Sequence, residues 1–335
     1  MASVPAPKPP PDPEARRGFW LAFPAMFWMV FFFILPVVLV LWMSFLSRTS
    51  GGGELPLTGG NYVDLFEEFY EWDEIQEAWE EFRAAETGAD GRDALGELIE
   101  PDNGRSAVLF RSMWIAIVST VICLLMGYPL AYYISTRSSQ FTRSLTLFLV
   151  ILPFWTNLLV RTYAWRIILG REGVLNGVLQ WAGFIEEPVG FLFTQGAVIV
   201  GLVYVFLPFM VLPIYASIER FDFKLVEAAH DLGANDWSAF WRVVLPGTMP
   251  GVVAGCILVF IPSIGAYVTP DLLGGGSGDT LMIGNLIAQW FGGTGHWPRG
   301  SAMSIVLMAI VLLSLIVYVR FGQGDDDSRP QREGA

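Results

Sequence analysis

The sequence predicts an all-α membrane protein with six transmembrane helices, and three observations support this fold class. Of the 335 residues, 53% are hydrophobic and only 16% are charged, whereas soluble domains average roughly 45–50% apolar and about 25% charged residues. The charged residues are concentrated between long apolar runs. Six of these runs meet or approach the roughly 20 residues that one helix needs to cross a bilayer core.

The predicted spans are listed here in chain order: 19–46, 107–135, 144–169, 196–218, 249–268 and 301–320. The first apolar run is nearly twice as long as the roughly 7–15 residues of a signal-peptide core, and no cleavage motif of the A-x-A type follows it. We therefore expect it to remain as a helix. The third span is the least regular, because Asn157, Arg161 and Arg166 lie in its second half.

Lysine and arginine in short loops indicate how such a chain is oriented. With the N-terminus inside, eleven of these residues fall in inner segments and seven in outer ones, while Arg161 and Arg166 lie within the third span. This bias predicts that residues 1–18 and 321–335 are cytoplasmic tails. It also predicts that residues 47–106 form an extracytoplasmic loop.

That outer loop is strongly acidic, since sixteen of the 32 Asp and Glu residues lie between Glu54 and Asp102. Apolar residues recur every three or four positions from Tyr62 to Ala85 and predict an amphipathic helix outside the bilayer core. The acidic field could concentrate cations, meet a binding protein or simply be a solvated surface adapted to high salt. No basic surface of the kind that binds nucleic acid is present, which argues against such a partner.

Between the fourth and fifth spans, the sequence predicts two short helices joined by a sharp turn. Asp222 is a candidate N-cap, and Gly233 lies where a left-handed residue would end the first helix. Asn235 or Asp236 can cap the second helix, which Pro246 is expected to end. Periodicity alone would also fit an ordinary amphipathic connector.

The spacing within this segment resembles the EAA loop of bacterial ABC import permeases, E-A-A-x3-G-x9-I-x-L-P, with Val243 in place of the usual Ile. The positions that match are Glu227, Ala228, Ala229, Gly233, Leu245 and Pro246. We call residues 221–247 the EAA segment. The resemblance implies that its first helix docks in a separate ATPase, with small alanines allowing close approach and Glu227 supplying a charge.

Four further stretches resemble the spermidine/putrescine permeases of the PotB/PotH type. They are residues 152–165 (LPFWTNLLVRTYAW), 204–215 (YVFLPFMVLPIY), 269–275 (TPDLLGG) and 281–285 (LMIGN). Ala266 and His296 stand where these permeases often have an acid, so the departures remove groups that a polyamine could use. A permease of the same type for a thiamine-like or amino-acid-derived solute stays open as an alternative.

The resemblance also implies partners: two copies of an ABC ATPase that bind ATP and Mg²⁺, a second related permease, and an extracytoplasmic solute-binding protein. This chain is expected to bind no cofactor or metal and to be no enzyme. Its two lysines, Lys8 and Lys224, both lack the Gly-Lys-Ser/Thr context of a P-loop. A secondary transporter would not need the docking loop, and an intramembrane enzyme would need paired acids or a histidine cluster in its spans.

The sequence also offers candidates for a cation pathway. Aromatic rings attract alkyl-ammonium groups, although a belt at the membrane surface or core packing is the alternative explanation. Asp271, at the outer end of the fifth span, is the best carboxylate for a passing cation, with an ordinary loop role as its alternative. The candidate pathway residues are Trp155, Asn157, Tyr163, Trp165, Tyr204, Tyr267 and Asp271. We expect Arg161 to pair with a partner subunit and Arg166 to reach the outer membrane surface.

Overall fold

The computed structural model describes residues 13–49, 52–69, 105–137, 139–276, 278–293 and 295–322. In chain order, the elements are α1 (Pro13–Ser44), β1 (Leu46–Thr49), β2 (Gly52–Leu57), α2 (Gly60–Phe69), α3 (Arg105–Ser135), α4 (Gln140–Ile151), α5 (Leu158–Ile168), α6 (Val174–Trp181), α7 (Gln195–Glu219), α8 (Lys224–Asp231), α9 (Asp236–Ala239), α10 (Leu245–Ile264), α11 (Ile283–Gly292) and α12 (Trp297–Gly322). Short 3-10 turns cover Leu152–Trp155 and Gly278–Thr280, and π turns cover Phe240–Val244 and Pro270–Gly274.

Within the described part of the chain, five helical segments are long and apolar enough to cross a bilayer: α1, α3, α7, the run from α9 through α10, and α12. The pair α4 and α5 would make a sixth span if it crosses as one unit. Because backbone polar groups cannot be left unpaired in lipid, helices of this length are the expected spanning elements. The all-α polytopic fold predicted from the sequence is therefore confirmed.

The predicted third span, 144–169, is wrong as a single helix, because α4 and α5 are bent by 95° at the break between them. Pro153 lacks the backbone N–H that would continue α4, and Thr156 adopts an extended backbone. Asn157 is extended too, and its Oδ1 accepts from the N–H of Leu159 at 2.8 Å, which starts a new helix.

Three helices, α3, α7 and α10, pack against one another and form the centre of the molecule. Their shared core is built around side chains that are fully buried, such as Met210, Val211 and Ile214. Glycines let α10 approach α7 closely: a Cβ on Gly251 would lie 2.7 Å from the carbonyl oxygen of Pro213. Close backbone contact through small residues is the usual way in which membrane helices associate.

The second helix of the EAA segment does not end at Pro246, and that prediction is wrong. The helix runs from α9 through the π turn Phe240–Val244 into α10, so that Asp236–Ile264 is one span of 29 residues. The N–H of Leu245 bonds to the carbonyl of Phe240, five residues back. This wider turn lets Pro246 sit at the start of α10, where no N–H is needed.

The elements between α1 and α3 are shorter. β1 and β2 form an antiparallel hairpin after α1, and α2 covers only the beginning of the predicted amphipathic helix 62–85. The rest of that helix, and the acidic loop as far as residue 104, lie outside the described residues. α11 was not predicted, because it belongs to an outer loop that has no span-like apolar run.

Candidate coupling segment and outer pathway

The first helix of the EAA segment, α8, is capped at both ends by its own sequence. The Asp222 carboxylate accepts from the N–H of Lys224 at 3.1 Å. At the other end Gly233 has a φ of +86°, and the N–H of Ala234 bonds to the carbonyl of Ala229 at 3.0 Å. A left-handed residue with this bonding closes a helix end. The turn therefore depends on a glycine at position 233.

The second helix begins at Asn235, whose Oδ1 accepts from the N–H of Ser238 at 2.8 Å. Of the two candidate caps, Asn235 is thus the one that bonds the helix start. The Asp236 carboxylate instead lies 3.6 Å from Nε2 of His230, while Nδ1 of His230 lies 2.9 Å from the carbonyl oxygen of Ala234. His230 thus contacts both the turn after α8 and the start of α9.

The outward face of the EAA segment is apolar and open. Leu232 is 90% exposed and Trp237 is 70% exposed. Glu227 and Ala228 are exposed beside them on α8, and Ala229 is half-buried. An exposed apolar patch with a polar rim is typical of a protein interaction site.

The inward face of the same segment is packed against the central helices. The ring of Phe240 lies edge-on to the rings of Tyr128 and Tyr132. Leu245 packs on the same core, whereas Pro246 is exposed. An element with one exposed and one packed face can transmit a displacement of its exposed face to the helices on which it packs.

The two ends of the EAA segment also touch each other. A Cβ on Gly247 would lie 2.4 Å from the ring of Phe221, so the ring packs directly on the glycine backbone. Phe221 follows α7 and Gly247 lies in the first turn of α10. The segment therefore forms a closed loop on the ends of these two helices.

The structure brings together some of the candidate pathway residues and separates others. Trp165 of α5 and Tyr204 of α7 meet at 5.5 Å between ring centroids. Tyr267 and Asp271 are both exposed near the π turn Pro270–Gly274, and Asn285 of α11 lies within hydrogen-bond reach of both. The first pair joins α5 to α7, and Asn285 joins the second pair to α11.

Three predicted pathway residues lie elsewhere, two at the break between α4 and α5 and one on α5 itself. Trp155 is 75% exposed and contacts Phe148, Asn157 is occupied as the cap of α5, and Tyr163 is 50% exposed on α5. The seven candidates therefore do not form one cluster in this chain.

Sequence reasoning missed two buried polar side chains near the outer pathway. Arg111 of α3 is 5% exposed, donates to the carbonyl of Gly278 at 2.7 Å and lies 3.9 Å from the Asp279 carboxylate. Asn285 is 1% exposed. The signal that could have found them was a polar residue within an otherwise apolar helical stretch.

Comparison with known proteins agrees with this architecture. The chain is 41% identical to the spermidine/putrescine transport system permease protein PotB of Haemophilus influenzae, over 88% of this chain and 90% of that protein. It is 38% identical to PotB of Escherichia coli, over 88% of this chain and 93% of that protein. Both relatives are transport proteins and not enzymes.

A solved structure shares the fold. It is the crystal structure of a bacterial ABC transporter involved in the import of the acidic polysaccharide alginate, with a TM-score of 0.62 and 16% identity over 93% of this chain and 98% of that chain. The chain thus has the type I permease fold of ABC importers and is a multi-pass inner-membrane protein. The family model for the binding-protein-dependent transport system inner membrane component matches residues 14–324, and the chain belongs to that family.

Proposed function

We propose that this chain forms half of the translocation pathway of an ATP-driven importer for a polyamine such as spermidine or putrescine. In this proposal a separate ATPase drives transport through the EAA segment. The observation that carries the proposal is the two-faced EAA segment, which exposes Leu232 outwards and packs Phe240 against α3.

The mechanism follows from the continuity of the EAA segment with α10. Because Asp236–Ile264 is one helical run, a displacement of its exposed end is passed along α10 as a lever. The contact between Phe221 and Gly247 ties the first turn of α10 to the chain that follows α7. Closure of the ATPase dimer would then rotate α7 and α10 together, which is a rigid-body mode of switching.

The residues proposed to couple the chain to the ATPase are Glu227, Ala228, Ala229, Gly233, Leu245 and Pro246. Exposed Ala228 and half-buried Ala229 let the surface of α8 approach a cleft, and exposed Glu227 offers a charge at its edge. Gly233 and Leu245 set the angle and the inner packing of the segment. In this assignment Pro246 marks the point at which the segment joins α10.

The cationic nature of the cargo is supported by the relatives, which are named for spermidine and putrescine, and by groups on the outer side. The Trp165–Tyr204 pair offers aromatic faces, each worth about 0.5–2 kcal/mol to a cation. Asp271 offers an exposed carboxylate. In this proposal Trp155, Tyr163 and Tyr267 would add aromatic surface at other points of the pathway, and Asn157 would shape the break between α4 and α5.

We further propose the composition of the complete importer. Two ATPase copies would bind ATP and Mg²⁺, a second related permease would form the other half of the pathway, and an extracytoplasmic binding protein would deliver the solute. Both termini would be cytoplasmic, as the bias of Lys and Arg indicates. On α5, the apolar residues Val160 and Ile167 are 65% and 70% exposed. We therefore propose this face of α5 as a contact surface for the second permease.

The test uses the complete importer, purified with its ATPase and reconstituted in liposomes with its binding protein. We expect ATP-dependent uptake of labelled spermidine. Leu232→Asp should release the ATPase during purification, whereas Trp181→Asp should not, although Trp181 is also highly exposed, at 89%. Retention of the ATPase by Leu232→Asp would contradict the docking site, and absence of polyamine uptake by the wild type would contradict the cargo.

A further inference from the structure

Asn285 is a buried side chain on α11 that links two candidate pathway residues. Its Nδ2 lies 3.4 Å from Oδ1 of Asp271 and 3.3 Å from the carbonyl oxygen of Tyr267. The N–H of Asp271 bonds to the same Tyr267 carbonyl at 3.0 Å. One amide group thus holds a carboxylate and the backbone that precedes it.

The chemistry of the amide fixes its orientation. Both neighbours of Asn285 are hydrogen-bond acceptors, so the NH₂ group and not the oxygen must face them. In this orientation Oδ1 of Asn285 is buried and has no hydrogen-bond partner among the described residues. Buried acceptors without a partner are rare in folded proteins. The hydrogen bonds that its NH₂ group donates to Asp271 and Tyr267 therefore orient the side chain, while its oxygen makes no hydrogen bond to the described residues.

The backbone encloses the same carboxylate oxygen from another direction. Gly276 has a φ of +62°, and a Cβ at this position would lie 2.7 Å from Oδ1 of Asp271. Gln289 keeps the loop in place by donating to the carbonyl of Gly276 at 2.8 Å. Asp271 as a whole is nevertheless exposed. One carboxylate oxygen is thus held by protein atoms, in a residue that as a whole remains accessible.

We propose that Asn285 is a positioning residue that orients the Asp271 carboxylate to receive an ammonium group of the entering solute. The inference rests on the proposed function, because it requires a cationic cargo. A primary ammonium group carries three hydrogen-bond donors, and an accessible carboxylate accepts such donors through its lone pairs. Tyr267 is 46% exposed and lies four residues before Asp271, and its ring would offer a face for the alkyl-ammonium chain.

The test distinguishes two roles of Asn285: orienting the Asp271 carboxylate, and only holding the backbone around the π turn Pro270–Gly274 in place. In the reconstituted importer, Asn285→Ala should lower spermidine uptake about tenfold, the loss expected for a hydrogen bond to a charged group. The decisive variant exchanges the two side chains, Asp271→Asn with Asn285→Asp. It keeps one amide, one carboxylate and the net charge, but moves the negative charge to the buried position. We expect it to assemble with its ATPase, to hydrolyse ATP and to transport spermidine poorly.

Asn176→Ala is the matched control, since Asn176 is 1% exposed and bonds to the carbonyls of Gly170 and Val189 in another loop. This variant should keep its uptake per assembled complex. Normal uptake by the exchange variant would overturn the inference while leaving the polyamine importer in place, and so would normal uptake by Asn285→Ala. If Asn285→Ala fails to assemble, the exchange variant alone decides. A wild type that transports no polyamine would overturn the inference together with the proposed function.

Discussion

The ring of Phe240 stands edge-on to the ring of Tyr128, with 5.6 Å between the ring centroids and 87° between the planes. The hydroxyl of Tyr128 in turn lies 3.0 Å from Oγ1 of Thr248, in the first turns of α10. Through this pair of contacts, one side chain of the EAA segment touches α3 and shares a partner with α10. Any movement of the segment must act on both helices.

Removal of the Phe240 ring should weaken this connection without removing the exposed docking face. Edge-to-face aromatic pairs contribute about 0.5–1.5 kcal/mol each beyond their buried area, and Phe240 makes such contacts with both Tyr128 and Tyr132. We expect Phe240→Ala to retain the ATPase and ATP hydrolysis but to transport less solute per ATP. Phe240→Leu, which keeps apolar bulk, should be intermediate. A wild-type ratio of uptake to hydrolysis in Phe240→Ala would contradict the role of this contact.

The turn at Gly233 should not tolerate a side chain. Its φ is +86°, and no atom lies within 4 Å of the position that a Cβ would take. The penalty for Gly233→Ala therefore comes from the backbone alone, at about 1–2 kcal/mol. We expect the variant to insert normally and to uncouple ATP hydrolysis from uptake. Reversal of the charge in Glu227→Lys should uncouple as well.

Gly183 provides the control for this prediction. It has a similar φ of +74° and equally open surroundings, but it follows α6 and lies outside the EAA segment. Gly183→Ala should carry the same backbone penalty and keep its coupling, as measured by uptake per ATP hydrolysed. Equal uncoupling in both variants would mean that general strain, and not the coupling turn, is responsible.

The close approach of α7 and α10 predicts a large effect at Gly251. A Cβ there would lie 2.4 Å from Cβ of Ser217 and 2.7 Å from the carbonyl oxygen of Pro213, and a backbone atom cannot move aside like a flexible side chain. We expect Gly251→Ala to destabilise the protein by about 1–3 kcal/mol, the range for overpacked cores. Thermal unfolding of the purified complex measures the change.

Gly177 on α6 has no atom within 4 Å of its Cβ position. Gly177→Ala should therefore be neutral or stabilising by about 0.5–1 kcal/mol, because alanine favours the helix. Because the two substitutions should change the free energy of unfolding in opposite directions, the comparison reports on helix packing and not on the mutation to alanine as such. Equal melting temperatures for the two variants would argue that α7 and α10 are not in close contact.

Arg161 predicts a contact with the second permease. Its Nε and Nη1 are buried without a hydrogen-bond partner among the described residues, and its Nη2 donates to the carbonyl of Thr156 at 3.0 Å. An uncompensated charge in a membrane protein is costly and calls for a partner. We expect Arg161→Leu to reduce recovery of the second permease, with Arg161→Lys a poor replacement because it lacks the planar fork.

Arg166 serves as the control. It is exposed, and its guanidinium carbon lies 5.8 Å from the ring centroid of Phe193. Arg166→Leu should leave the recovery of the second permease unchanged in the same co-purification. Full recovery with Arg161→Leu would contradict the expected pairing.

Most of the fold could be predicted from the sequence, because the relevant signals are local. A run of about 20 apolar residues is sufficient to indicate a span, and α3, α7 and α12 correspond to such runs. The caps of the EAA segment are local as well, since Asp222, Gly233 and Asn235 act on backbone groups within five residues of themselves.

The sequence by itself therefore determined the membrane class, the family and the position of the EAA segment. Tertiary structure decided what depends on the backbone path and on contacts between distant elements. Apolar runs do not predict the 95° bend between α4 and α5 or the continuity of the helix through Pro246. Both features depend on how the backbone hydrogen bonds are rearranged around a proline, which has no N–H to donate. The pairing of Asn285 with Asp271 joins residues 14 positions apart, and only the packing of α11 beside the π turn brings this amide to the carboxylate.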